Sequence, residues 1–339
     1  MHSLRRAAPV ARRYSIKCGF LGAGDISNLH AEGLRDEHSP GTLVGLWSRE
    51  NCDVVTDPDA VAAAYGCARF RSPAELVDAS DAVFVLTNME SHAELAIAAM
   101  DAGKHVLVEK PVASTLDELE AMKAAAARND VVLFPGHNYI YEPWFLRTKE
   151  LAERGDLGDI SCVYITYNVR HPEDVCARSS MQGVMRQIMT HHAYSLLYLM
   201  GAPSRVSAFE ASVDTSLVDK ENLAMVTMSM ENGGLAHLQA NFSCDVHGSD
   251  PWSFYVKVLG TKGSARYSYN DHVVNAKHIV HSHTYVPYPF TIRAEGRFFL
   301  EECVGRGRPP LSTIDDAITC QRVIEAAEAS IAESRHVPI

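Results

Sequence analysis

Several things are missing from this chain of 339 residues. No apolar run approaches the roughly 20 residues that span a bilayer, so a membrane role is excluded from the expectations and a soluble, cytoplasmic protein is expected. No basic surplus marks a nucleic-acid surface: 31 Lys and Arg stand against 42 Asp and Glu, a formal net charge of −11. One local exception is the opening stretch, which carries Arg5, Arg6, Arg12 and Arg13 and no acid. It reads as a disordered tail over residues 1–14, with a transit peptide as the alternative. The 8 cysteines include no CxxC pair, which speaks against a zinc site or a disulfide framework and for free thiols in a reducing compartment. Clusters of Gly and Pro are few, and the composition, 47% hydrophobic and 22% charged, is that of a globular protein. An acidic chain of this kind suits a cationic substrate better than an anionic one.

What is present divides in two near residues 136–145. Over the first part, short apolar runs ("SIKCGFLG", "TLVGLWS", "AVFVLT", "HVLVE", "VVLFPG") alternate with helix-like segments. Among these, "ESHAELAIAAMDAG" ends in a glycine stop, and "STLDELEAMKAAAARND" opens on Ser114 or Thr115 as cap. That alternation predicts βαβ units and a parallel sheet. In the second part, "DISCVYITYNV", "LAMVTMSM", "GLAHLQANFSC", "FYVKVLGTKG" and "SARYSY" follow one another with short turns, predicting an antiparallel sheet. One long helix around "MRQIMTHHAYSLLYLMG" and a closing helix "IDDAITCQRVIEAAEASIAES" accompany it. The length suits two units of this size, placed at 15–138 and 139–339.

Gly22 and Gly24 close the first strand and open a helix through Asp25 and Ile26, with Ser27 in the third position of G-x-G-x-x-G. Such a turn lets backbone N–H groups and a helix N-terminus face a pyrophosphate. Glycine pairs end many strands, but at the first βα turn of a βαβ series this one predicts a dinucleotide site. After the second strand, Ser48 and Arg49 stand where an acid would grip the ribose of NAD. They could hold a 2′-phosphate instead, which tilts the expectation toward NADP. Glu50 and Asp53 follow closely enough to serve NAD.

"LVEKPVAS" raises a different question, because Lys110 stands just past a buried strand. Taken alone, such a lysine is either a snorkelling strand end or a base. Beside a cationic nicotinamide ring, and partly desolvated, a lysine loses its proton more readily and can take one from an alcohol.

With "GAGDISNLH", "TNMESH", "AGKHVLVEKP", His191 on a late helix and the closing "GRPPLSTIDDAI" segment, the chain resembles the Gfo/Idh/MocA oxidoreductases from about residue 16 onward. The resemblance implies an α/β fold: a Rossmann nicotinamide-dinucleotide domain followed by an α/β domain with an open, mostly antiparallel sheet. That sheet commonly packs in homo-oligomers, dimers or tetramers. Substrate and NAD or NADP would meet between the domains, the substrate being a sugar, a cyclitol or a related alcohol. Position by position, Gly22 and Gly24 match the phosphate turn, and Thr87 and His92 match the ends of the family's T-P-N-x-x-H turn. Glu109, Lys110 and Pro111 match its E-K-P, in which the lysine is the catalytic residue and the Lys-Pro bond is often cis.

Where the family carries Asp-x-x-x-His, this chain has Gln187 and His191. On one continuous helix they share a face, continued by Tyr194 and Tyr198. An amide orients by hydrogen bonding but relays no proton. Three readings follow: Lys110 and His191 suffice with Gln187 gripping a hydroxyl, the substrate brings its own charge, or the redox site is dead. Tyr164, Asn168, His171 and Arg178 lie where the family often contacts substrate, and Asn138 and Tyr139 follow the fifth strand near the junction. His278, His281 and His283 lack an acid or cysteine to complete a metal set, so no metal is expected. The expected activity is an NAD(P)-dependent dehydrogenase or reductase acting on a ring hydroxyl, or the matching ketone, of a sugar, aminosugar or cyclitol. A place in secondary metabolism such as aminoglycoside formation is a further expectation. The alternatives are an NAD-assisted glycosidase or lyase and a non-catalytic ligand sensor.

Overall fold

The computed structural model describes residues 15–49, 57–169, 182–213, 220–243, 252–268 and 287–339. Six strands form the first sheet: β1 (Ile16–Leu21), β2 (Gly41–Trp47), β3 (Ala68–Arg69), β4 (Ala82–Val85), β5 (His105–Glu109) and β6 (Leu133–Gly136). Their order is β3-β2-β1-β4-β5-β6 and every pairing is parallel. Central strands of such a sheet are covered on both faces and so read as unbroken apolar runs. Accordingly, every residue of β4 is buried.

Five helices cross between these strands: α1 (Asp25–Arg35), α2 (Pro58–Tyr65), α3 (Pro73–Ala79), α4 (His92–Asp101) and α5 (Leu116–Asn129). Their starts follow local chemistry. Ser72 caps α3 with Pro73 behind it, and Thr115, not Ser114, caps α5 in a reciprocal box with Glu118. The strand order reverses between β1 and β4, which opens a crevice beyond their carboxyl ends. Gly22, Thr87, Lys110 and Asn138 follow β1, β4, β5 and β6, so all four stand at that edge.

After α6 (Pro143–Glu153) comes a second sheet of seven strands: β7 (Ile160–Val169), β8 (Pro203–Ala211), β9 (Leu223–Met230), β10 (Leu235–Asn241), β11 (Trp252–Gly260), β12 (Ser264–Ser268) and β13 (Val337–Pro338). Its order is β12-β11-β7-β10-β9-β8-β13. Only β7 and β10 pair in parallel, so the sheet is mixed and mostly antiparallel. The cysteines Cys18, Cys67, Cys162, Cys303 and Cys320 are free thiols.

Two expectations need correction. The helix carrying Gln187 and His191 is not continuous. It breaks at Ile188 (φ −111°, ψ −40°) into α7 (Val184–Gln187) and α8 (Met189–Met200), so simple i,i+4 sharing of a face does not carry across. A further helix, α9 (Pro287–Phe298), was not foreseen; it contains Pro287, Pro289 and Gly296, which weaken a helical pattern. Packing against α1 and the turn Asn138–Tyr141 holds it. It runs into a π-helical turn, Phe299–Val304. The closing helix α10 (Ile314–Glu333) starts as expected, with Thr313 and Asp316 in a capping box. It lies on β8, α8 and α5. Among the described residues no helix is long and apolar enough to cross a membrane.

Candidate active site

The glycine turn is held by close approach. Gly22 has φ +113°, a region that L side chains rarely adopt, and a Cβ there would sit 2.6 Å from the backbone of Leu86. Its N–H donates to the Trp47 carbonyl at 2.7 Å. Gly24 is the N-cap of α1 and supplies no side-chain cap, so no capping side chain stands between the start of the helix and an anion. Ser27, in place of the third glycine, is fully buried and donates to the Gly24 carbonyl at 2.6 Å, with the Tyr65 hydroxyl 2.8 Å away. Asp25 is exposed and Ile26 half-buried at the same helix start. These features fit a dinucleotide pyrophosphate.

At the end of β2, Ser48 is buried and Arg49 exposed. The Ser48 carbonyl accepts from the Arg69 guanidinium at 2.7 Å. Arg69, on the two-residue β3, is thus a second cation at the ribose end of the crevice, and sequence reasoning passed over it. Glu50 and Asp53 lie outside the described residues.

The Glu-Lys-Pro turn is anchored from two sides. The Lys110–Pro111 bond is cis. His92 places its Nδ1 2.9 Å from the Pro111 carbonyl and its Nε2 2.8 Å from the Thr87 carbonyl. Burial holds the His92 pKa below its ordinary value, so the ring is neutral and donates to one carbonyl at a time. The Thr87 hydroxyl accepts from Ser91 at 2.8 Å. Glu109 is buried, accepting from the Lys110 backbone N–H at 3.1 Å and from His30 Nε2 at 2.9 Å. Burial lowers the Lys110 pKa, and the Glu109 charge opposes it. A second acid, Glu295 on α9, joins this group: polar side-chain atoms of His30, Glu109 and Glu295 all lie within 4.8 Å of one another.

Around His191 a hydrogen-bond chain fixes the proton positions. Thr291 donates its hydroxyl to the Tyr288 carbonyl at 2.8 Å, so its oxygen must accept from the Asn138 Nδ2 at 2.6 Å. That turns Asn138 Oδ1 toward the Tyr194 hydroxyl, which donates to it at 3.0 Å. With its one hydrogen spent, the Tyr194 oxygen accepts from the Tyr139 backbone N–H at 3.2 Å and from His191 at 2.6 Å. His191 is therefore the Nδ1–H tautomer, and its Nε2 carries a lone pair. Its pKa lies well below the ordinary range, through burial first, then the positive charge of Lys110 and the neighbouring His192 and His137. Rings close the pocket: Tyr139 stacks on His191 at 4.4 Å, and His137 on Tyr194 at 4.2 Å.

The structure thus gathers Lys110, His191, Asn138 and Tyr139, with His92, Thr87 and Glu109 behind the lysine. Gln187 ends α7, half-buried, on the far side of the break at Ile188. Tyr164 is not in this group. It is 41% exposed, and its strand neighbours Val163 and Ile165 turn to the buried side instead. Asn168, on the same face of β7, donates to Ser253 and accepts from Gln239. His171, Arg178, His278, His281 and His283 lie outside the described residues. His30, Tyr194 and Glu295 were not foreseen in these roles. The signal for His30 was its helical position one turn after the glycine motif, while Glu295 lies in a stretch for which no helix was expected.

A phosphate turn at the switch point of a doubly wound sheet, with a lysine at the same edge, defines an NAD-binding oxidoreductase. The family model described as "Oxidoreductase family, NAD-binding Rossmann fold" matches residues 16–137, and that of the "GFO/IDH/MocA C-terminal domain" matches residues 145–266. The chain belongs to the Gfo/Idh/MocA family. It is 27% identical over 259 residues to the myo-inositol 2-dehydrogenase of Thermotoga maritima, covering 73% of this chain and 74% of that one. A putative myo-inositol dehydrogenase from Sinorhizobium meliloti superposes with a TM-score of 0.82 at 22% identity, covering 96% of this chain and 100% of that one. GenD2 from gentamicin A biosynthesis, solved in complex with NAD, superposes with a TM-score of 0.82 at 22% identity, covering 100% of this chain and 99% of that one.

Proposed function

We propose that the protein is an NAD- or NADP-dependent dehydrogenase, or reductase in the other direction, acting on a ring hydroxyl of a cyclitol, sugar or aminosugar. The observation that carries this reading is the pairing of a desolvated Lys110 with a neutral His191 whose Nε2 lone pair is free. Bound NAD supplies the hydride acceptor. Lys110, as the neutral amine, takes the hydroxyl proton, and His191 Nε2 accepts a hydrogen bond from another hydroxyl of the substrate, which holds the ring in place. The aminosugar option rests on the net charge of −11 and on an amide where the family has an acid.

The protein works as a homo-oligomer through the open face of its second sheet. Phe209 pairs with Met225, Met225 with Gln239, and Tyr164 with His237. Phe209, Met225, Leu235 and Tyr164, which are 76%, 43%, 53% and 41% exposed, therefore lie on one face. An apolar face of this kind is suited to burial against a second copy.

The test is turnover across a panel of cyclitols, sugars and aminoglycosides, read at the reduced-nicotinamide absorbance. Lys110→Ala is expected to lower kcat by about 10³-fold with cofactor affinity unchanged. Near-normal turnover in that variant rejects the proposal.

A further inference from the structure

Glu295 is fully buried, and neither carboxylate oxygen has a hydrogen-bond partner. It sits on α9, a helix the nucleotide-binding half does not contain, yet faces the acid that precedes Lys110. The groups facing it are Glu109 from β5, His30 from α1, Tyr141 from the turn after β6 and Tyr194 from α8. The two cations on its own helix are engaged elsewhere, Arg293 with Glu32 at 3.9 Å and Arg297 with Glu301 at 3.2 Å. The aromatic rings of Phe20, Phe84 and Phe299 surround His30 and one another. Nothing in such a setting replaces the water that an ionised carboxylate gives up.

Glu109 differs. It receives N–H groups from His30 and from the Lys110 backbone, the partners a carboxylate needs away from water. Each of its oxygens keeps a lone pair. A neutral Glu295 can turn its O–H onto one of them, whereas an ionised Glu295 could only repel it.

We propose that Glu295 is carried as the neutral acid against the Glu109 carboxylate, so that the buried group holds one negative charge rather than two, and that Glu295 is thereby a positioning residue for Lys110. The second half of the proposal rests on the reading of Lys110 as the base. Two charges behind the lysine would favour its ammonium form. One charge, softened by the Glu295 O–H, leaves the amine available near neutral pH. Burial and the Glu109 charge both push the Glu295 carboxyl well above the ordinary carboxylate range, in keeping with this arrangement.

Two measurements need no turnover. Infrared spectroscopy at mildly alkaline pH should show the C=O stretch of a buried carboxylic acid that Glu295→Gln abolishes; its absence from the wild type overturns the proposal. Elemental analysis of the purified protein should find no tightly held divalent cation. One equivalent retained by the wild type and lost in Glu295→Gln would put a metal where we place a proton, and also overturns it. Kinetics test the positioning role through the acidic limb of the kcat/KM profile, where Lys110 gains its proton. Glu295→Gln should leave the limb in place, while Glu295→Leu, which strips Glu109 of its donor, should move it up by about one pH unit. A downward shift in the Gln variant would mean that Glu295 is ionised. Equal loss of activity at every pH in the Leu variant would reduce its role to packing. If Lys110→Ala keeps its turnover while the infrared band stands, the catalytic reading falls and the neutral acid survives.

Discussion

Tyr194→Phe isolates the hydrogen-bond chain around His191. The substitution keeps the ring, which stacks on His137 at 4.2 Å, and removes one oxygen. Three buried groups lose their partner at once: Asn138 Oδ1, the Tyr139 N–H and the His191 Nδ1–H. Each orphaned group costs about 1–3 kcal/mol. Relaxation of Asn138 toward Thr291 offsets part of this, so the expected loss of stability is about 2–4 kcal/mol. That is large for the loss of a single oxygen and is measurable by urea or thermal unfolding. A second effect follows. Without the phenol to accept its Nδ1–H, His191 is free to change tautomer, and its Nε2 no longer presents a lone pair at all times. Histidine ¹⁵N chemical shifts report this directly: the wild type should show a protonated Nδ1, and the variant a mixture. A variant as stable as the wild type within about 0.5 kcal/mol, or a wild-type His191 protonated at Nε2, would refute the chain of donors and acceptors set out above.

Two further outcomes are expected besides those for Lys110 and Glu295. Gly22→Ala places a Cβ 2.6 Å from the Leu86 backbone at φ +113°, which should cost about 1–3 kcal/mol of stability and weaken NAD binding, both visible in melting curves with and without the nucleotide. Phe209→Glu on the open sheet face, at a residue 76% exposed, should leave the fold intact and shift sedimentation velocity toward monomer. Sedimentation unchanged from the wild type would remove that face from the interface.

The site was legible in the sequence where its geometry is local. The Gly22 turn, the Glu109-Lys110-Pro111 turn and Thr87 each follow a strand directly, so a run of apolar residues and its last few neighbours announce them. The helix bearing His191 was legible as a helix, but not its break. Ile188 has no breaker chemistry, and its dihedrals follow from how the chain packs. The missed parts are held by tertiary contact. Helix α9 contains Pro287, Pro289 and Gly296 and forms against α1, so propensity argued against it. With α9 unseen, Glu295 could not be placed beside Glu109, 186 positions earlier in the chain. Tyr164 shows the reverse error: a family position suggested substrate, while strand alternation alone turns it away from the buried side.

The return of α9 and α10 onto α1 and α5 has a consequence for biogenesis. The nucleotide-binding sheet is complete in sequence by residue 136, yet its flank stays bare until the last fifth of the chain has been synthesised. A ribosome-bound intermediate would therefore expose the side of α1 that α9 covers in the folded protein. Until those final helices dock, the growing chain carries apolar surface that the finished fold covers.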